Sequence, residues 1–258
     1  MSTALIDERR SDDSPSRDRL DRLLRARSVA IVGASDRLGA LGASVLANLE
    51  RAGFDGAIHL VNPNRAEIGG RPCVASVADL PRGIDAAVLA IPRAGVLDAM
   101  RGLAERGVGA AVIFSAGFAE DGAQGLADQR EIARIAAAAD MVVEGPNCLG
   151  LVNFRDKLPL TFIDMPEARA EGARRVGIVS QSGAMAAVLA TTMIAREVPL
   201  GCYVSTGNEA ATGVEDFVAR LVDDPDITVI AMIVEHFRRP DAFLAAARAA
   251  RSAGKPVV

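Results

Sequence analysis

The sequence predicts two α/β domains in tandem, each built on a doubly wound and largely parallel sheet. Short apolar segments rich in Val, Ile and Ala alternate with longer segments of helical periodicity. These apolar segments lack the polar alternation of strands that have one solvent face, so they are typical of strands buried on both faces. Such an alternation favours right-handed crossovers and parallel sheets. Because it stops near residue 150 and restarts near residue 175, we expect two units of fold class α/β.

The first predicted domain covers residues 20–150 and contains five strands. Its helical segments commonly end in Gly, which suits a helix C-terminus. The predicted strands are residues 28–32, 57–61, 85–91, 110–114 and 141–144. Leu20, Leu23 and Leu24 recur at helical spacing and predict a short amphipathic helix against the first strand. Residues 1–19 are polar and charged and predict a disordered tail.

The second predicted domain covers residues 175–258. Between the domains, residues 151–174 predict a linker, because Pro159, Pro166 and a charged stretch interrupt the alternation. The predicted strands of the second domain are residues 175–179, 200–204, 228–234 and the segment from 255 onward. Since the last segment begins as a strand, we expect the natural chain to continue past Val258 and this domain to be incomplete.

Composition excludes several classes of protein. The 258 residues include 29 basic and 33 acidic side chains, for a net charge of −4, and only 3% are aromatic, which disfavours a nucleic-acid partner. The three cysteines are far apart and predict neither disulfides nor a metal site, which fits a reducing, cytoplasmic compartment. The N-terminus lacks the apolar run of a signal peptide, and no apolar run reaches the ~20 residues of a membrane helix. We therefore expect a soluble protein with no membrane partner.

A glycine-rich loop follows the first predicted strand of the first domain. Gly33 permits a sharp turn, and Ser35 with the backbone N–H groups of the next helix suits a phosphate, although such a loop can also serve only close packing. The second strand ends in Val-Asn-Pro-Asn-Arg and lacks the acidic residue that binds the ribose of NAD. Arg65 there suits an extra phosphate, such as that on the ribose of CoA or NADP.

The second domain opens with a similar arrangement of strand, Ser/Gly loop and helix. Ser180, Ser182 and Gly183 suit a phosphoryl group at the helix N-terminus, or Ser182 is an ordinary N-cap. Glu235 ends an apolar strand, where a carboxylate can hold an imidazole in one tautomer. Cys148 has no His nearby in the sequence, so we interpret it as a wall residue rather than a nucleophile.

Seven short motifs occur in a fixed order over residues 20–258. They are VAIVGAS, LVNPN, SAGFAE, GPNCLG, GIVSQSGAM, GNEA and IVE. In this set the chain resembles the NDP-forming acyl-CoA synthetases of the ADP-forming acetate–CoA ligase type, which are related to the α subunit of succinyl-CoA synthetase. The resemblance implies a Rossmann-like CoA-binding domain followed by a flavodoxin-like, succinyl-CoA synthetase-like domain. Such enzymes make acyl-CoA from a small carboxylic acid, CoA and ATP or GTP, through an acyl phosphate and a phosphohistidine.

The resemblance also implies roles for individual residues. The residues expected to bind CoA are Gly33, Ser35, Asp36, Arg37, Leu38, Asn62, Pro63, Arg65, Ile91, Pro92, Phe114, Ser115 and Ala116. Those expected beside the phosphoryl group are Ser180, Ser182, Gly183 and Asn208. Asn147 and Cys148 belong to the expected active-site loop, and Glu235 is expected to orient the phosphohistidine.

Two parts of the expected machinery are missing from the sequence. The family's phosphorylated histidine lies shortly after the strand that begins KPVV, and neither His59 nor His236 occupies that position. The ATP-grasp domain, which binds the Mg-nucleotide, would be a further domain or a partner subunit in an oligomer. Two other functions stay open: a non-catalytic CoA-sensing module and, less favoured, an NAD(P)-dependent oxidoreductase.

Overall fold

A computed structural model describes residues 17–164, 166 and 174–258. The predicted disordered tail lies outside the described residues except for 17–19, where the prediction is wrong, because these residues form the first turn of helix α1. In the described ranges, no helix combines the length and apolar character needed to cross a bilayer.

The first domain is a seven-stranded sheet in the order β3-β4-β2-β1-β5-β6-β7, in which only the β3–β4 pair is antiparallel. Its strands are β1 Ser28–Val32, β2 Ala57–Val61, β3 Glu67–Ile68, β4 Arg71–Val74, β5 Ala86–Leu89, β6 Ala110–Ile113 and β7 Val142–Glu144. Its helices are α1 Arg17–Leu24, α2 Leu41–Ala52, α3 Val96–Glu105 and α4 Ala123–Ala138. The alternation of helices and strands is confirmed, and so are the five predicted parallel strands, which are β1, β2, β5, β6 and β7.

Alternate residues of β1 pack on opposite faces of this sheet. Val29 and Ile31 belong to the apolar cluster that includes α1 and α2, whereas Ala30 and Val32 belong to the cluster that includes α3 and α4. Both sets are fully or almost fully buried. Burial on both faces explains why the strand sequences are continuously apolar.

The β3–β4 hairpin was not predicted from the sequence. Its two strands are joined by the two-residue turn Gly69-Gly70, in which both residues have positive φ, and β4 extends the sheet beside β2. A Gly-Gly pair is a recognised hairpin signal, but the flanking segments are too short and too polar to show strand periodicity.

The second domain is a five-stranded sheet in the order β12-β10-β11-β8-β9. Its strands are β8 Gly150–Asn153, β9 Leu158–Thr161, β10 Arg175–Ser180, β11 Leu200–Ser205 and β12 Ile227–Ile233. Its helices are α5 Gly183–Ala195, α6 Val214–Val222 and α7 Pro240–Ser252. The strands β12, β10 and β11 are parallel, and residues 256–258 pair beside β12, as the predicted last strand requires.

The predicted linker is wrong over its first half, which forms the buried antiparallel strands β8 and β9. Pro159 suggested a break, but it lies in β9, the edge strand of the sheet, where a residue without an N–H group is tolerated. The hairpin is also fixed from the first domain. The Asn48 side chain on α2 is 6% exposed, and its Nδ2 donates to the carbonyl oxygens of Thr161 at 2.7 Å and Ile163 at 2.8 Å.

Helix α1 lies in a different place from the one predicted. It contacts β6, β7, β8 and α6 rather than lying along β1. Asp21 accepts from the buried Arg220 guanidinium of α6, and the Leu24 carbonyl accepts from Asn153 Nδ2 at 2.8 Å. One apolar cluster runs through α1 and both sheets, so the two domains share part of their core.

We predict that Asn48→Ala lowers the free energy of unfolding by about 2 kcal/mol, because one buried and one half-buried carbonyl group lose their donor. Urea denaturation measures the change. Gln124→Ala, at an exposed glutamine on α4, is the control and should change stability by under about 0.5 kcal/mol. Equal effects of the two substitutions would contradict the assignment of the hairpin to the folded core.

Candidate functional site

The first cleft is formed by turns at the carboxyl ends of the first sheet. Gly33 has φ +89°, and a Cβ there would lie 2.4 Å from the Ala90 carbonyl oxygen, so only glycine fits between β1 and β5. The Val61 carbonyl accepts from the amides of Gly33 at 3.0 Å and Ala34 at 3.2 Å. Asn62 Nδ2 donates to the Ala34 carbonyl at 2.7 Å, so Asn62 supports the turn rather than projecting into the cleft.

The mouth of this cleft carries charge and one exposed apolar side chain. Leu38 is 98% exposed. Arg65 Nη2 lies 3.4 Å from Asp36 Oδ1, and both side chains are about half exposed. Helix α2, which begins just after this loop, has no side-chain N-cap. An uncapped helix N-terminus beside an arginine suits an anionic group such as a phosphate. Arg37 and Pro63 are also exposed there, and the Ser35 hydroxyl accepts from the Arg37 amide at 3.0 Å.

The loops after β5 and β6 form the next wall of the cleft. Ser115 Oγ donates to the Ile91 carbonyl at 2.6 Å and thereby ties these two loops together. Pro92 and Ala116 are exposed beside them. Phe114 is buried, and its ring meets Phe162 edge to face at 4.8 Å, so it forms the floor rather than the surface of this wall.

The second cleft lies at the carboxyl ends of β10, β11 and β12. Ser180 is fully buried, and its hydroxyl donates to the Ser182 carbonyl at 2.8 Å. The Ser182 hydroxyl accepts from the Met185 amide at 3.4 Å, so in this structure it is the N-cap of α5, as the alternative interpretation expected. Gly183 is the first residue of α5 and packs closely against Leu149 of the GPNCLG loop.

Asn208 does not turn toward the Ser180–Gly183 turn. Its amide group instead bonds to Glu120 Oε2, to Gln129 Oε1 at 3.1 Å and to Asn147 Nδ2 at 3.3 Å. Glu120, Gln129 and Asn147 all belong to the first domain, so Asn208 bridges the two domains. A phosphate-binding role for its side chain stays a prediction that this geometry does not favour.

The two clefts meet at a common wall made from the loops 145–150 and 205–212. The amides of Asn208, Ala210 and Thr212 donate to the carbonyls of Pro146 at 2.9 Å, Gly145 at 2.8 Å and Val143 at 3.3 Å. The GNEA loop therefore runs along the edge of the first sheet. We call these three hydrogen bonds the interdomain ladder.

Gly207 shows how closely the two loops approach each other. A Cβ at this position would lie 2.5 Å from the Pro146 carbonyl oxygen, and φ there is +59°. The Asn147 amide in turn donates to the Ser115 carbonyl at 2.9 Å, which links the common wall to the first cleft.

Beneath this wall lie ionisable groups that the sequence analysis did not identify as a cluster. Glu144 is 1% exposed, and neither of its carboxylate oxygens makes a hydrogen bond. Burial holds the pKa of the Glu144 carboxyl well above its usual value, and the nearby Ser205 amide only partly offsets this. Tyr203 is also buried without a partner for its hydroxyl, and its pKa is raised by burial and by Glu144.

Cys148 belongs to the apolar core. Its side chain is 3% exposed, and Sγ lies 3.4 Å from the Ile113 carbonyl oxygen. Burial, together with the neighbouring Glu144, raises the pKa of the thiol well above its usual value. A buried thiol of raised pKa is a poor nucleophile.

Glu235 follows β12 at the edge of the second cleft and has an exposed side chain, as does His236. Their backbone amides are held by the Gln181 side chain, which sequence reasoning missed although it lies inside the SQSG motif. In the portion of the chain that the structure covers, no three His, Cys, Asp or Glu side chains form a group that could hold a metal ion.

Comparisons with known proteins identify the families to which the two domains are similar. The family described as a CoA binding domain matches residues 27–153, and the family described as a succinyl-CoA ligase like flavodoxin domain matches residues 173–258. A trans-feruloyl-CoA synthase from an unknown prokaryotic organism is 57% identical over 244 residues, which cover 94% of this chain and 34% of that protein. The α subunit of an ADP-forming acetate–CoA ligase II from Pyrococcus furiosus is 30% identical over 93% of this chain and 51% of its own length.

Among solved structures, the apo form of the dinucleotide forming acetyl-coenzyme A synthetase 1 from Ca. Korarchaeum cryptofilum superposes with a TM-score of 0.85. It is 31% identical, and the match covers 92% of this chain and 51% of that one. The chain thus spans between about a third and about a half of the relatives described here.

The fold and the two family matches define a class of protein in which a Rossmann-like CoA-binding domain precedes a succinyl-CoA ligase-like flavodoxin domain. The chain belongs to the NDP-forming acyl-CoA synthetase family, of which it carries the α-subunit-like pair of domains.

We predict that Glu144→Gln stabilises the protein and that the gain increases with pH. The pKa of the Glu144 carboxyl is higher in the folded than in the unfolded protein. The wild-type protein therefore becomes less stable as pH rises from the unfolded-state pKa of about 4.5 toward the folded-state pKa. The gain should be small near pH 5 and reach about 1 kcal/mol or more at pH 8.

Urea denaturation at both pH values measures the effect, with Glu105→Gln on the exposed surface of α3 as the control. A gain that does not change with pH would show that Glu144 is not held protonated in the folded protein.

Proposed function

We propose that this chain is the CoA-binding and phosphoryl-handling part of an NDP-forming acyl-CoA synthetase, which converts a carboxylic acid, CoA and ATP or GTP to acyl-CoA, the nucleoside diphosphate and phosphate. The observation that carries the proposal is the common wall. The GPNCLG and GNEA loops are joined by the interdomain ladder, so a CoA bound in the first cleft and a phosphoryl group in the second would approach one another across a fixed boundary. A protein that only senses CoA has no need of the second cleft.

In the first cleft, the backbone is proposed to carry the recognition of CoA. The turn at Gly33 would let the CoA diphosphate approach the uncapped N-terminus of α2, where N–H groups and the helix dipole favour negative charge. Arg65 would leave Asp36 and pair with a CoA phosphate. Leu38, exposed and apolar, would cover the adenine ring.

The path toward the reacting thiol would follow the Ile91-Pro92 turn and the Phe114–Ala116 loop. The hydrogen bond from Ser115 to Ile91 keeps these two segments at a fixed separation. The backbone amide of Asn147 donates to the Ser115 carbonyl and so connects this path to the common wall.

In the second cleft, the backbone N–H groups at the start of α5 would hold the phosphoryl group. The Ser182 hydroxyl already caps this helix, so its contribution would be to order the turn. Glu235, exposed at the edge of the cleft, would accept a hydrogen bond from an imidazole and keep it in one tautomer. The histidine that receives the phosphoryl group would come from outside residues 1–258.

The proposal requires an ATP-grasp domain or subunit to bind the nucleotide with Mg²⁺, and therefore a longer chain or an oligomer. Acetate and ferulate, which the names of relatives indicate, are the first acids to test. Three free cysteines, two of them buried, support a cytoplasmic location.

We predict that the protein binds CoA in calorimetry and that Arg65→Glu weakens this binding at least about tenfold, because a phosphate contact is replaced by repulsion. Arg27→Glu is the matched control. Arg27 is also exposed, but it precedes β1 and so lies at the amino-terminal ends of the strands, away from the proposed cleft. Its substitution should change the affinity less than about twofold.

Binding of NADH without binding of CoA would remove the proposal in favour of an oxidoreductase. Equal weakening by the two substitutions would refute the placement of the phosphates beside Arg65.

We predict that Glu235→Gln in the full-length protein, supplied with its nucleotide-binding domain or subunit, lowers acyl-CoA formation about 100-fold or more while CoA affinity stays within about twofold. ADP release with acetate or ferulate measures the rate. CoA binding with no acid-dependent ADP release in the wild-type protein would instead indicate a CoA-sensing module.

A further inference from the structure

Gln181 stands out as a buried polar side chain in a loop of the second cleft. It follows β10 directly and is 8% exposed. Its Oε1 accepts from the amides of Glu235 at 2.7 Å and His236 at 3.0 Å, and its Nε2 donates to the His236 carbonyl at 2.7 Å. The backbone N–H group of Gln181 also donates to the Ile233 carbonyl at 3.0 Å. Four hydrogen bonds thus connect this residue to the backbone that leaves β12.

The segment after β12 has no regular secondary structure until α7 begins at Pro240. Its later residues are held by arginines: Arg238 donates to the carbonyl groups of the GNEA loop, and Arg239 pairs with the buried carboxylates of Glu215 and Asp216. These contacts lie three or four residues beyond Glu235. At Glu235 itself, the amide group of Gln181 holds the backbone.

We propose that Gln181 is the positioning residue that sets Glu235 at a fixed place relative to the phosphoryl-binding turn at Ser180–Gly183. The inference rests on the proposed function. Gln181 belongs to that turn by sequence and holds Glu235 by its side chain, so one residue fixes the distance between the two. Misplacing a catalytic group by about 1 Å can cost about 100-fold in rate, so such a tether has a measurable consequence.

The chemistry of this position requires an amide. Two backbone N–H groups need an acceptor and one carbonyl needs a donor, and a glutamine side chain presents both from one planar group. Methionine has a similar length and offers neither. Glutamate keeps the acceptor, but its second oxygen faces the His236 carbonyl and lies near the buried Glu209 carboxyl, which is unfavourable unless it carries a proton.

The experiment compares Gln181→Met and Gln181→Glu with the matched controls Gln124→Met and Gln124→Glu in the full-length protein. Gln124 lies exposed on α4, where its side chain bonds to Asp128 at 2.9 Å. Three quantities are measured: amide hydrogen exchange of residues 233–239, the dissociation constant for CoA, and kcat and KM with whichever of acetate and ferulate the protein activates.

For Gln181→Met we expect exchange at the Glu235 and His236 amides to be at least about tenfold faster, kcat to fall about 10-fold to 100-fold, and CoA affinity and exchange in the first domain to stay within about twofold. For Gln181→Glu, we expect kcat relative to wild type at the same pH to recover as pH falls, because a protonated carboxyl can again donate to the His236 carbonyl. A purely structural role would not lower kcat while leaving CoA affinity and first-domain exchange unchanged.

Unchanged exchange at Glu235 and His236 in Gln181→Met would overturn the proposal, as would faster exchange with kcat within twofold of wild type. Absence of CoA binding in the wild-type protein would overturn the proposed function, and this role with it. That result is distinguishable, because it is seen without any substitution at Gln181.

Discussion

The interdomain ladder is the constraint on which the rest of the structure depends. Three backbone amides of the second domain donate to the carbonyls of Val143, Gly145 and Pro146 at the edge of the first sheet. The close approach at Gly207 leaves no room for a side chain between the two loops. Backbone hydrogen bonds between buried segments are costly to break, so the two clefts keep one relative position. The shared apolar cluster and the α1 contacts close the opposite end of the same boundary. The two domains are therefore better described as one packed body than as independent modules.

Most of the fold could be predicted because burial on both faces of a parallel sheet makes each strand continuously apolar. The parts that could not be predicted depend on tertiary contacts. The β8–β9 hairpin is buried by α2 and β11, and its proline is harmless only because β9 lies at an edge, which local sequence does not reveal. Helix α1 has an apolar stripe whose partner is set by the distant α6, so its periodicity predicted a helix but not its location.

The site divides in the same way. Turn positions such as Gly33 and helix starts such as Gly183 follow from strand–loop–helix order, because the carboxyl ends of parallel strands meet at one edge. The order of strand, loop and helix does not predict the direction in which a polar side chain points. Asn208 has a residue type and a loop position that suit a phosphate, but its side chain bonds across the domain boundary. Gln181 lies between two serines in the sequence, and only the structure shows that its side chain makes three hydrogen bonds to the backbone after β12. The sequence does not reveal that Glu144 is buried, and without that burial nothing distinguishes it from other glutamates.

The coupling of the two clefts through the interdomain ladder is tested most directly by hydrogen exchange at the amides of Asn208, Ala210 and Thr212, with and without CoA. These amides belong to the second domain but donate to carbonyls of the first. If the common wall is shared, saturating CoA slows their exchange together with that of the Gly33 turn. Protection confined to the first domain's own amides, with the three ladder amides unchanged, would contradict the account.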